Sequence, residues 1–141
     1  LHNLGLLLLV HLFPGDMDAA LRQVKAPEDA ELRRTEAALI GIDHAQGGAW
    51  LAQRWHLPDL VVDTISGYAQ EPLSEKAPVA ALVGIARKQV DRLLATRVKR
   101  VERIAVAVPD WFPLAREEWR EVVTDLLEQR DKLRTQAQSL S

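Results

Sequence analysis

The sequence predicts an all-α helical bundle with a long C-terminal helix. Three observations carry that prediction. Helix start and stop signals recur along the whole chain, and no convincing run of alternating strand residues appears. The seven Gly and seven Pro sit between the apolar segments rather than inside them. At 141 residues the chain has the length of about one domain, and its 48% hydrophobic and 27% charged composition is that of a chain with a core.

The elements follow in order. Leu4 to Phe13 is an apolar run with no basic segment before it and no cleavage site after it. It is also too short to span a bilayer, which needs roughly 20 residues, so it reads as a helix buried on most of its sides. Pro14-Gly15-Asp16 is a turn and cap, from which a short helix runs through Leu21 and Val24. Pro27 occupies the first turn of the next helix, with Glu28 and Asp29 favouring its N-terminal dipole. That helix carries Leu32, Thr35, Glu36, Leu39 and Ile40, and Gly41 ends it.

Asp43 caps a helix from about His44 to Trp55, whose Ala45, Gly48, Ala49 and Ala52 permit close helix contact. Trp50 and Trp55 are expected inside the bundle, as core anchors. Leu57-Pro58-Asp59 opens a short helix with Leu60, Val61 and Ile65 inward, and residues 67–76 form a loop. Pro78 begins a long helix through Leu82, Ile85, Val90 and Leu93. The β-branched stretch Val98 to Val108 reads as a short helix or an extended connection, for want of a partner strand. Trp111 and Trp119 are read as core anchors too, and Trp111, which follows Pro109-Asp110 in a connection, is the one of the four best placed for exposure. The last helix runs from about Pro113 to Gln138, with a heptad of Trp119, Leu126, Leu133 and Leu140 against Val122, Gln129 and Gln136. The domain is expected over residues 1–127, with residues 128–141 a helical extension able to pair with a second copy.

Composition excludes several functions. The absence of Cys removes disulfide scaffolds, thiolate zinc sites and Cys nucleophiles. A formal net charge of −2, with both signs interspersed, gives no footprint for nucleic acid or an acidic membrane. The basic cluster Arg97, Lys99, Arg100 and Arg103 contains Glu102 and reads as a solvated face. No Gly-rich phosphate loop, nucleophile elbow or His-Glu-x-x-His helix is present. The chain opens at Leu1 inside an apolar run and is expected to be part of a longer, cytoplasmic protein.

Three stretches in order carry a family resemblance: Leu1-His2-Asn3-Leu4-Gly5, then Gly41-Ile42-Asp43-His44-Ala45-Gln46-Gly47-Gly48-Ala49, then Arg54-Trp55-His56-Leu57-Pro58. Together they resemble the HDOD domain, an all-helical bacterial signalling module related to the HD and HD-GYP phosphohydrolases. The resemblance runs from Leu1 to about Leu127. It implies an HD-like bundle whose first helices lie upstream.

In the related hydrolases a His and Asp cluster holds metal ions that activate water. The resemblance places His2-Asn3 at the His-Asp doublet, where the neutral Asn amide is a poor ligand. His44 stands at a further histidine position. The segment Ile65-Ser66-Gly67-Tyr68-Ala69-Gln70 has no His where a pair would be expected. Arg87 falls at the late Asp, where its guanidinium repels a cation, with Asp91 the nearest carboxylate. The implied site is thus a degenerate one at His2, Asn3, His44 and Arg87, with no catalytic residue, no metal and no other cofactor. On the residues alone, His2 and His44 read first as partly buried histidines bonded to nearby backbone, and metal ligation is the alternative. Arg87 is a surface charge, a substitute for the metal, or an anion site.

The expected function is a non-catalytic signalling module whose partners are other signalling proteins or domains of the same longer chain. A homodimer through the C-terminal helix is included; nucleic acid and membrane are not. The alternative is a metal-dependent phosphohydrolase using His2 and His44 on a nucleotide or phosphodiester. A sensor binding an anion at Arg87 is the third.

Overall fold

The structure, a computed structural model, describes residues 1–24, 29–95, 105–112 and 114–139. It is all-α, with seven helices and no strand among the described residues. Two compact units divide the chain, Leu1–Gly84 and Ile85–Ser141.

In the first unit, α1 (Leu4–Leu12) meets α2 (Pro14–Gln23) at 118° through Phe13 alone. The expected turn at residues 14–16 is absorbed into α2, because Pro14 at the first helical position has the φ a helix needs and no N–H to strand. No single helix among the described residues is long and apolar enough to cross a membrane. Next come α3 (Asp29–Ile40), α4 (His44–Arg54) and α5 (Asp59–Gly67). Gly41, at φ +92°, supplies the left-handed residue that stops α3.

Helix α4 is the centre of this unit, with α1 and α5 packed on it. Its buried residues are His44, Ala45, Gly47, Gly48, Ala49 and Ala52. A Cβ on Gly5 of α1 would collide with the His44 carbonyl, and one on Gly48 would stand 2.9 Å from Gly5 N. The two backbones are therefore in contact, and only glycine fits between them.

That close approach corrects three expectations. Trp50 and Trp55 are not core anchors; they are 58% and 56% exposed. The small-residue face of α4 is the one that packs, so its large residues are turned out. Helix α1 is not buried on most sides: Gly5 and Leu9 are buried, whereas Leu7 is 69% exposed and Val10 and Leu12 are also out. In α5, Val62 and Ile65 point inward and Leu60 does not, since residues five apart stand about 140° apart round a helix.

The second unit takes in most of α6 (Pro78–Ala95), an extended connection and α7 (Arg116–Ser139). Residues 105–109 carry neither helix nor strand. Their backbone is paired by side chains instead. Val106 N–H donates to Gln89 Oε1 at 2.9 Å, and Trp119 Nε1–H donates to the Val106 carbonyl at 3.1 Å. Trp111 is half-buried, edge-on to Phe112.

Along α7 the buried residues are Trp119, Val123 and Leu127, four apart, while Val122 is 40% exposed and Leu126 is intermediate. Over residues 119–127 the buried row therefore runs i, i+4 rather than by sevens, with Trp119 common to both patterns, and the Leu133 side chain is outside what the structure describes. Arg130, three residues past Leu127, donates to the Leu93 carbonyl of α6 at 2.9 Å. Pro27, Glu28, the basic cluster at 97–103, Val98 to Ile104, Pro113 and Leu140 lie outside the described residues.

Candidate functional site

The start of α4 organises a polar cluster inside the first unit. Asp43 caps the helix as expected: its Oδ1 accepts Gln46 N–H at 2.8 Å, and Gln46 Oε1 accepts Asp43 N–H at 3.1 Å. Asp43 Oδ2 also accepts from Arg33 Nε at 2.9 Å, and the same guanidinium donates to the Ala69 carbonyl at 3.2 Å. Arg33 thereby ties α3 both to the α4 cap and to the chain just past α5.

His44, the first residue of α4, is fully buried and meets side chains on every polar atom of its ring. Nδ1 lies 2.6 Å from Glu36 Oε2, and Nε2 lies 3.1 Å from Asp29 Oδ1 and 3.0 Å from the Tyr68 hydroxyl. Glu36 Oε2 accepts the His44 backbone N–H as well, at 2.9 Å. Glu36 is itself completely buried, and its Oε1 has no hydrogen-bond partner among the described residues. Burial alone would push the imidazole down, but hydrogen bonds to Asp29 and Glu36 and the charges of both carboxylates outweigh it, raising the pKa from 6.5 to about 9.

His44 is therefore bonded to side chains of α3 and α5's end, not to neighbouring backbone. His2 reaches the same place, its ring edge-on to Tyr68 with centroids 5.3 Å apart. Asn3, one residue on, is exposed at the start of α1, where its carbonyl accepts the Leu6 and Leu7 N–H groups. Arg87 belongs to the second unit and pairs with Asp91, one helical turn away, at 3.6 Å.

The donor set does not fit a metal ion. Both ring nitrogens of His44 are engaged by the chain itself, Nδ1 with Glu36 and Nε2 with the Tyr68 hydroxyl. Among the described residues no group of three or more His, Asp or Glu side chains is arranged to hold one.

Asp29, Arg33, Glu36 and Tyr68 were not singled out by sequence reasoning. A signal existed for three of them. Residues 29, 33 and 36 are spaced i, i+4, i+7, which puts Asp29, Arg33 and Glu36 on one stripe of α3.

A family model described as the HDOD domain matches residues 1–71. The chain is also similar to an uncharacterized protein of Treponema pallidum (strain Nichols), 30% identical over 92 residues. That alignment covers 64% of this chain and 18% of the relative, so the chain spans less than a fifth of the relative's length in the match. No solved structure matches.

Proposed function

We propose that this chain, which belongs to the HDOD family, is a non-catalytic module that transmits signals by binding other proteins. The observation that carries this reading is the bonding of His44. An HD-type hydrolase needs imidazole lone pairs and carboxylates converging on a metal with an open position for water. Here the one histidine deep in the cluster spends both nitrogens on Asp29, Glu36 and Tyr68. With the carboxylates already neutralised, nothing in the cluster activates water.

The surface supports the binding half of the reading. Trp50, Trp55, Leu7 and Val10 are exposed on α4 and α1, and exposed tryptophans are the residue type enriched at protein-binding hot spots. Partners are other signalling proteins, domains of a longer chain, or a second copy through α7; the module works in the cytoplasm, without nucleic acid or membrane. Elemental analysis after chelator-free purification, with phosphatase and phosphodiesterase assays against a His2→Ala control, tests the proposal. We expect no stoichiometric metal and equal background rates. Iron, manganese or zinc at one or two equivalents, lost with His44→Ala, would overturn it, as would turnover above the control.

A further inference from the structure

A fully buried carboxylate that faces a histidine needs a positive charge beside it. Glu36 is fully buried, and among the described residues it pairs with His44 and with no Lys or Arg. The free energy of leaving a carboxylate buried without a counter-ion is several kcal/mol, far above that of a missing neutral hydrogen bond. Asp29, largely buried, adds a second negative charge 3.1 Å from the other ring nitrogen. Nδ1 donates to Glu36, and Nε2 faces the Tyr68 hydroxyl at 3.0 Å with Asp29 Oδ1 at an ion-pair distance of 3.1 Å, which favours a proton on Nε2 as well. The Tyr68 hydroxyl, also on Nε2, then accepts.

We propose that His44 is an internal cation that does here what a bound metal ion would do: it neutralises Asp29 and Glu36 and cross-links α3 to α4 and to the end of α5. The three attachments are Glu36 and Asp29 from α3 and Tyr68 from just beyond α5. The site is filled by the chain's own side chain, and charge rather than ring volume is what the site selects. This holds whether or not the domain signals through other proteins, so it fails or stands separately from that reading.

Charge and shape are separated by a mutant cycle. His44→Gln keeps a polar side chain but removes the cation, and should lower the melting temperature by roughly 10 °C. Adding Glu36→Gln to it removes the stranded charge, so the double variant should melt above His44→Gln alone. A double variant that melts at or below the single one would overturn the proposal. A variant too unstable to melt is covered by rescue. His44→Ala, refolded from urea with millimolar 4-methylimidazole at neutral pH, where that probe is largely cationic, should regain helical circular dichroism. Pyrazole, similar in shape and neutral, should fail. Recovery with neither, or equally with both, would overturn the proposal.

Discussion

Glu36 Oε2 accepts two hydrogen bonds from one residue, the backbone N–H of His44 at 2.9 Å and its ring Nδ1–H at 2.6 Å. The carboxylate thus holds both the first turn of α4 and the side chain that leaves it. Helix capping and ion pairing are here a single interaction, so the cluster and the helix cannot be perturbed separately.

The first prediction concerns pH. His44 has a folded-state pKa raised from 6.5 to about 9: burial opposes the charge, and the bonds and charges of Asp29 and Glu36 outweigh burial. A raised pKa means that folding favours the charged ring. Its contribution is complete below pH 6.5 and is lost as pH rises through 9, an amount on the order of 3 kcal/mol. Urea midpoints of the parent should fall between about pH 6 and pH 9.5, with His44→Gln as the control that lacks the slope. A parent midpoint as flat as the control's would contradict the assignment.

A second prediction tests the backbone contact between α1 and α4. Gly5→Ala places a methyl where the His44 carbonyl already stands. Neither partner is a flexible side-chain tip, so the helices must move apart, at a cost of about 3 kcal/mol or more. Gly15→Ala, which meets open space, should stay within about 1 kcal/mol of the parent. Equal stability of the two variants in urea would show that the helices are not in backbone contact.

Third, His56 ends α4 at φ 55°, in the left-handed region. Its N–H bonds to the Gln53 carbonyl and that of Leu57 to Ala52, so the helix closes on a residue whose Cβ disfavours this conformation. His56→Gly should therefore raise stability by about 1 kcal/mol. A lower melting temperature for this variant would show that the imidazole contributes more than its backbone strain costs.

The tryptophans give a fourth test. Trp50→Ala and Trp55→Ala should change stability by less than about 1 kcal/mol, since both rings are largely in solvent. Trp119→Ala removes a buried ring and the donor to the Val106 carbonyl, and should cost about 3–5 kcal/mol. The reverse order would place the core of each unit on the wrong face.

Much of this fold is legible in the sequence because its punctuation is local. Asp43 with Gln46, Gly41, and Pro58 at a helix start act within three or four residues, and each stands where its chemistry leads one to expect. What the sequence hides is which face of a helix is buried when size and polarity disagree. In α4 a Gly and Ala face competes with Trp50 and Trp55, and backbone proximity to Gly5 decides it. In α3 the stripe Asp29, Arg33 and Glu36 looks like a solvated face, and only the fold brings His44 and Tyr68 against it. The cluster could not be assembled from spacing, because its members come from three separate stretches. His2, Asn3 and His44 were singled out by resemblance; of these the structure brings His2 and His44 to Tyr68 and leaves Asn3 at the surface.

The most direct measurement is the protonation state of His44 at about pH 7.5, read from long-range nitrogen–proton correlations of the ring by NMR. An unperturbed histidine at that pH is mostly neutral. The account predicts that both His44 nitrogens carry protons and that added zinc leaves their resonances in place. A neutral ring with one bare nitrogen, moving on zinc addition, would contradict it.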